Sequence, residues 1–237
     1  MLTPSIKYIL KSFLEHNIKP ILIFSGYLFF NFYFLIRRNK IDYDLNNLYL
    51  ISFYDGLLII IIAPIFIFWI LDILSFYDDV KLLLKFHLLK DWWKEKLITL
   101  LILILLYDLL FNFIFILVIL INGLIPYFNF HFIVFFLFGI LFQIIGFLIL
   151  GYIYLNLKYL FSNKLLPIIL TYIILLIPYF INGLFYKKIY SLLDYMFLKN
   201  LSEYSYFHNL ITLILILTFL ILANIYMLTK KDINWRN

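Results

Sequence analysis

The sequence lacks cysteine altogether and carries little charge for its 237 residues. Without cysteine the chain can form no disulfide bond, thiolate metal site or thiol nucleophile. Aspartate, glutamate, lysine and arginine together make up 14% of the residues, whereas a soluble domain has about 25%. These few charges are grouped between long apolar runs that a water-soluble protein of this size could not bury. The composition therefore excludes a soluble fold.

Motifs of catalysis and nucleotide binding are missing as well. The sequence contains no Gly-x-x-x-x-Gly-Lys-Ser/Thr loop for phosphate, no His-Glu-x-x-His and no Gly-x-Ser-x-Gly. The four histidines are scattered along the chain without the spacing of metal ligands. We therefore predict that the chain is not an enzyme and holds no metal or cofactor of its own.

Alanine is also nearly absent, since Ala63 and Ala223 are the only two, whereas the chain has 28 phenylalanines and 20 tyrosines. This usage is typical of an AT-rich genome and favours a low-GC bacterium as the source.

The residues that are present predict a membrane protein, because 66% of them are apolar, 22% are aromatic and the mean hydropathy is +1.05. A helix of roughly 20 apolar residues crosses the hydrocarbon core of a bilayer. Helices are expected because lipid offers no partners for open backbone groups. We predict one all-α, polytopic transmembrane domain over residues 1–237 with six spans, at about 20–36, 53–74, 97–121, 131–157, 165–186 and 210–228.

The residues before the first span have the pattern of an amphipathic helix. Between Pro4 and Glu15, apolar side chains fall on one face and charged side chains elsewhere. We predict an interfacial helix over residues 4–16 that lies on the membrane surface. The alternative, a cleaved leader, lacks the small-residue cleavage site that would follow it.

We interpret the net charge of +6 as a consequence of membrane topology and not as a sign of a nucleic-acid-binding surface. Cytoplasmic loops of membrane proteins are enriched in lysine and arginine. With both termini in the cytoplasm, the inner segments hold 13 of the 19 basic residues and the outer segments hold 6. The sequence therefore predicts a multi-pass protein of the bacterial cell membrane with both termini cytoplasmic and no nucleic-acid partner.

The connection over residues 75–96 is the most informative segment. It is amphipathic, densely charged and much longer than a hairpin between two spans needs. One interpretation is a cytoplasmic surface helix that docks onto a partner. The other is an interfacial helix that only anchors the hairpin, with Trp92 and Trp93 at the headgroup level.

The order of elements resembles the membrane subunit of an ABC-2-type transporter. In that family an amphipathic helix, two spans, a charged cytoplasmic coupling helix and four more spans follow one another. Leu83-Leu84 matches the family's Leu-Leu pair, Lys90 falls at a basic position, and Glu95-Lys96 occupies the place of a Gly-Lys. The sequence departs from the family in lacking that glycine and the proline turn, where residues 86–89 are Phe-His-Leu-Leu.

The resemblance implies a permease subunit of an ABC exporter. ATP and magnesium would bind to a separate ATPase dimer, and a second permease copy or a related permease would complete the pathway. The residues expected to dock the ATPase are Leu84, Lys85, Phe86, Leu88, Leu89, Lys90 and Asp91. The aromatic spans would suit a hydrophobic or amphipathic cargo, such as a small peptide or toxin.

Two other classes remain open from the sequence. One is a membrane protein that acts without an ATPase, such as a bacteriocin immunity protein or an assembly factor. The other is a membrane enzyme, for which Asp108, Asp72 and Asp55 would be the acids at depth.

Residues 187–209 form a second segment that resembles the ABC-2 family, which carries short re-entrant helices at this place on the outer side. An ordinary outer loop is the alternative. The apolar face of such a helix would contain Ile189, Leu192, Leu193, Met196 and Phe197.

Polar side chains within the spans are the remaining candidates for function, because lipid penalises them. Asp108 and Asn112 are one helical turn apart and point the same way. Together with Asp72 they are candidates for a substrate or proton pathway, although they could equally tie helices together. Hydrogen bonding between helices is the preferred interpretation for Gln143 and Asn224. Two glycines seven residues apart, Gly139 and Gly146, are expected to permit close packing.

Overall fold

The computed structural model describes residues 4–39, 44–70, 73–74, 77, 89–161, 163, 165–185, 189–201 and 204–235. These residues form helices and connecting turns, with no strand among them, which confirms the predicted all-α class. The α-helices are α1 Pro4–Arg38, α2 Leu45–Ser52, α3 Asp55–Leu57, α4 Leu89–Ile121, α5 Phe130–Leu160, α6 Leu165–Phe185, α7 Leu192–Met196 and α8 Tyr206–Trp235.

Within the described residues, five helices are long and apolar enough to cross a membrane, namely most of α1, α4, α5, α6 and α8. A sixth crossing exists if α2 and the segment Asp55–Phe68, which are bent by 44° at their junction, count as one span. Large apolar side chains stay exposed on the outer helices, such as Ile23 at 73% and Phe219 at 71%. Such surfaces suit lipid and would be unfavourable in water.

The long helix α5 lies at the centre of the bundle. It packs against α4, α6, α7 and α8, while α1 packs on the outer side of α4. Aromatic rings fill the space between these helices, with Phe111, Phe147 and Phe53 all fully buried. Edge-to-face and tilted contacts join them, such as Phe66 and Phe147 with ring centroids 4.6 Å apart. Each such pair contributes roughly 0.5–1.5 kcal/mol beyond the burial of area.

The second predicted span begins earlier and is less regular than the sequence indicated. Asp44 caps α2 by accepting a hydrogen bond from the Asn46 amide at 3.0 Å, so helix begins at Leu45 rather than near Phe53. After the bend, two stretches of wide π-helical turns follow at Leu58–Ile62 and Ile65–Ile70.

Neighbouring helices supply donors to the wide turns. The Tyr107 hydroxyl of α4 donates to the Ile62 carbonyl at 2.7 Å, and the Tyr172 hydroxyl of α6 donates to the Ile59 carbonyl at 2.9 Å. Donors from outside the helix satisfy backbone groups in a place where water would not be available. The irregular segment is therefore tied to both of its neighbours.

The N-terminal segment also differs from the prediction. Residues 4–16 do not form a separate helix, because α1 runs without a break from Pro4 to Arg38 with Pro20 inside it. A proline removes one backbone hydrogen bond and need not end a helix whose other turns are intact. Of this helix, Ile18–Arg38 is the part that is apolar enough to span.

The segment after α6 folds back into the bundle and contains the short helix α7. Of the predicted apolar face, Leu193, Met196 and Phe197 are buried and Leu192 is partly buried, whereas Ile189 is 40% exposed. The helix begins with a capping box in which Ser191 and Asp194 exchange hydrogen bonds.

The end of α7 is closed by Leu198, which has a φ of 60°. The Lys199 amide bonds back to the Asp194 carbonyl at 3.0 Å, the pattern of a Schellman motif in which glycine is usual. The side chain of Leu198 is 1% exposed, so its burial offsets the strain of the left-handed backbone.

Candidate functional site: a buried polar cluster among three helices

Four polar side chains meet in the interior of the bundle, and we call them the Asp108 cluster: Tyr49 of α2, Asp108 and Asn112 of α4, and Gln143 of α5. Each is at most 2% exposed. The Asn112 side-chain amide donates to Gln143 Oε1 at 2.7 Å, and Gln143 Nε2 donates to the Tyr49 hydroxyl. The same Asn112 nitrogen lies 3.0 Å from the Asp108 carbonyl oxygen and 3.3 Å from Asp108 Oδ1. The cluster therefore links three helices through one chain of hydrogen bonds.

Two oxygens of the cluster have no donor among the described residues. Asp108 Oδ2 and Asn112 Oδ1 are both buried and accept no hydrogen bond there. Buried polar atoms are nearly always satisfied, since an unsatisfied one costs roughly 1–3 kcal/mol. The two atoms belong to residues that lie one helical turn apart on α4.

Residues 189–201, which contain α7 and which we call the α7 segment, cover the cluster on one side. A Cβ placed on Gly139 of α5 would lie 3.2 Å from the Tyr49 hydroxyl oxygen and 3.6 Å from Leu198 Cδ1. Next to Tyr49, the ring of Phe53 packs in a tilted arrangement against the ring of Phe197, with a centroid distance of 5.1 Å. Access to the cluster from this side would require the α7 segment to move.

Polar contacts hold the α7 segment in place. Lys199 forms an ion pair with Asp55 at the start of α3. Asn200 and Asn209 are fully buried and exchange two hydrogen bonds of 2.8 Å. The segment is further tied to α6, where the Asn182 side chain both donates to and accepts from the Ile189 backbone at 2.7 Å.

The structure confirms some predictions about polar residues. Asp108 and Asn112 do face the same way, and Gln143 and Asn224 do make hydrogen bonds between helices. For Asn224 the partner is Asn156 Oδ1 at 2.6 Å. Asp72, the third pathway candidate, lies outside the described residues.

Tyr49 was missed because it was assigned to the loop before the second span. A signal for it existed in the sequence. Leu45, Leu48, Tyr49 and Ser52 recur at helical spacing, and all four are buried in the structure.

The predicted docking segment is only partly described. Leu84, Lys85, Phe86 and Leu88 lie outside the described residues. Leu89 and Lys90 form the start of α4, without described side chains, and Asp91 is exposed. From Leu89 onward the predicted coupling helix is therefore continuous with the third span, as part of α4, whereas residues 75, 76 and 78–88 lie outside the described residues.

Trp92 and Trp93 are packed inside the protein, whereas one of the two interpretations of the sequence placed them at the headgroup level of the membrane. Their exposed fractions are 6% and 8%. Trp92 Nε1 donates to the Tyr77 carbonyl at 2.7 Å, and the ring of Trp93 lies 5.6 Å from that of Tyr159. The burial of an aromatic ring depends on the residues that pack around it in the folded protein. The local sequence does not show which residues these are.

Lys96 lies at the same end of the bundle as Trp92 and Trp93, and we call this the Trp92 end. The side chain of Lys96 is 2% exposed, and its Nζ lies 4.8 Å from the centre of the Trp92 ring. Nearby, the Tyr77 hydroxyl and Thr99 Oγ1 are 2.7 Å apart, and burial raises the pKa of Tyr77 to about 12. The Tyr77 hydroxyl therefore stays neutral at physiological pH.

Comparison of the chain with protein-family models, with curated proteins and with solved structures finds no match.

Proposed function

We propose that the chain is the membrane-spanning permease subunit of an ABC exporter of the bacterial cell membrane, driven by a separate ATPase. Two copies, or one copy and a related permease, would form the pathway. The cargo would be a hydrophobic or amphipathic molecule, such as a small peptide or toxin.

The observation that carries the proposal is the continuity of α4. This helix begins at Leu89, within the segment proposed to dock the ATPase, and runs unbroken to Ile121. Asp108 lies 19 residues after Leu89, which is about 28 Å along a helix. A push on the docking segment would therefore move the Asp108 cluster directly.

The Trp92 end supports such a lever. Trp92 and Trp93 fix the first turns of α4 against Tyr77 and Tyr159, and Lys96 packs on the Trp92 ring. A force applied there would pass into the helix instead of bending a loose terminus. At the other end, the ion pair between Lys199 and Asp55 and the buried asparagine pair would hold the α7 segment over the cluster until the helix moves.

The proposal is tested by recovery of the ATPase. A tagged chain is purified in mild detergent, and nucleotide-binding partners are identified by mass spectrometry. We expect Phe86→Ser with Leu89→Ser to abolish recovery of the ATPase, because partner surfaces depend on a few buried apolar anchors.

The matched control is Phe219→Ser with Leu222→Ser on α8. It changes the same residue types at the same spacing, and both side chains are exposed on the outside of the bundle, at 71% and 61%. The control should retain the ATPase. Equal recovery in both double variants, or no nucleotide-binding partner for the wild type, would contradict the proposal and favour a protein that acts without an ATPase.

A further inference from the structure

Asp108 carries a carboxyl group without a positive partner in the part of the chain that the structure describes. Its side chain is fully buried, and the side chain that contacts it through a hydrogen bond is the neutral Asn112. Removing an isolated carboxylate from water costs several kcal/mol unless another charge compensates it. A carboxyl group in this place therefore requires a positive charge from outside the described residues.

Among the described residues, the polar groups that face Asp108 are uncharged. From α2 the facing titratable group is Tyr49, and from α5 the facing polar group is the neutral Gln143. Tyr107, the preceding residue of α4, directs its hydroxyl to the Ile62 carbonyl. Close to Asp108 along α4, Phe24 of α1 packs against Tyr107, and Phe197 after α7 packs against Phe111.

The open oxygens indicate the chemistry of a group that would bind here. Asp108 Oδ2 and Asn112 Oδ1 are acceptors without a donor among the described residues, and they belong to side chains on the same face of α4. A carboxylate and a neutral amide oxygen are hard ligands that suit small cations such as Na⁺ and not anions. One carboxylate balances one positive charge.

We infer that the Asp108 cluster is a binding site for one small monovalent cation, either a proton or Na⁺. The cation neutralises Asp108, and Na⁺ would in addition supply the partner that Oδ2 lacks among the described residues. The site belongs to this chain alone, so the inference goes beyond the proposed function and does not depend on an ATPase.

The two occupants would leave different hydrogen-bond directions in the cluster. With Na⁺ at Oδ2, the Asn112 amide keeps donating to Gln143, and Gln143 to Tyr49, as in the structure. A proton on Asp108 Oδ1 would instead donate to Asn112 after its amide turns over, and the Gln143 amide would turn as well. Tyr49 would then donate to Gln143. Binding of a proton at Asp108 would thus reverse the hydrogen bond of the Tyr49 hydroxyl, which lies beneath the α7 segment.

The test is infrared difference spectroscopy on the full chain in lipid nanodiscs. Wild type and Asp108→Asn are compared across pH in NaCl and in choline chloride. Asp55→Asn serves as the matched control, because that acid is 59% exposed and paired with Lys199.

If a proton occupies the site, we expect one carbonyl-stretch band of a neutral carboxylic acid that is lost in Asp108→Asn, is kept in Asp55→Asn and does not respond to Na⁺. If Na⁺ occupies the site, NaCl and not choline chloride should remove that band. A band of charged carboxylate from Asp108 at all pH values, without any response to Na⁺, would overturn the inference.

A second assignment covers the case in which Asp108→Asn does not fold. Labelling the aspartates of the wild-type protein with ¹³C should shift the frequency of the same band. The Asp72→Asn variant should keep the band at its wild-type frequency. A band that disappears in Asp72→Asn would contradict the assignment to Asp108.

Discussion

At the residue scale, Gln143 connects the two halves of the Asp108 cluster. It accepts from Asn112 and donates to Tyr49, so it is the member that joins α5 to both α4 and α2. Asn112 and Tyr49 are both buried, so water cannot replace Gln143 as their hydrogen-bond partner. The same side chain thus determines both the stability of the cluster and the direction of its hydrogen bonds.

Replacing Gln143 with leucine should destabilise the protein by roughly 1–2 kcal/mol, because it leaves the Tyr49 hydroxyl and one Asn112 donor buried without that partner. The measurement is the Tm of the purified protein in detergent. Thr218→Val is the control, since this exposed hydroxyl bonds only within its own helix, to the Ile214 carbonyl. Equal Tm values for the two variants would show that the cluster does not tie the helices together.

At the element scale, the sequence predicts the existence of each long apolar helix better than the residues at which each helix begins and ends. The third to sixth predicted spans coincide, within several residues at each end, with helices that are long and apolar enough to cross a membrane, because long apolar runs leave little choice of structure. The second span was shifted, since Asp44 and the turn near Phe53 mark boundaries through capping that hydropathy does not register.

The cluster shows the same limit. That Asp108 and Asn112 face one way follows from their spacing, whereas their meeting with Gln143 and Tyr49 depends on the packing of three helices. Nothing in the local sequence of α2 indicates that Tyr49 contacts a residue 94 positions further on. The polar residues were therefore predictable as candidates, and their association was not.

The glycines of α5 determine how closely the α7 segment approaches. A Cβ on Gly146 would lie 2.1 Å from Met196 Cγ, which no real packing allows. Gly146→Ala should push α7 outward and lower the stability by roughly 1–3 kcal/mol. Gly26→Ala on α1 is the control, because its Cβ would meet nothing within 4 Å.

The readout for both glycine variants is Tm, together with protease sensitivity of the segment after α6. If Gly146→Ala were as stable and as resistant as Gly26→Ala, the close packing of α7 on α5 would be contradicted.

At the scale of the whole molecule, the distribution of basic residues predicts that both termini and residues 75–96 are cytoplasmic. Because the chain has no cysteine, single cysteines can be introduced at His16, Lys90 and Ser162 without background. Membrane-impermeant maleimide should label all three only after the cells are opened, and a cysteine at Tyr204 should be labelled in intact cells. Labelling of position 90 from outside would reverse the topology and remove the basis for ATPase docking.

The central proposal is that α4 acts as one rigid lever between the segment proposed to dock an ATPase and the Asp108 cluster. Spin labels at Lys94 and Phe113, which are both exposed on α4, are 19 residues apart, or about 28 Å along the helix. A second pair at Lys94 and Phe219 reports movement of α4 against α8. Double electron–electron resonance spectroscopy in nanodiscs measures both distances in the presence of the proposed ATPase, with and without ATP.

The account predicts that the distance between Lys94 and Phe113 stays narrow and near 28 Å in every nucleotide state, while the distance between Lys94 and Phe219 changes when ATP binds. A distance within α4 that shortens or broadens with ATP, or a distance to α8 that never changes, would contradict it.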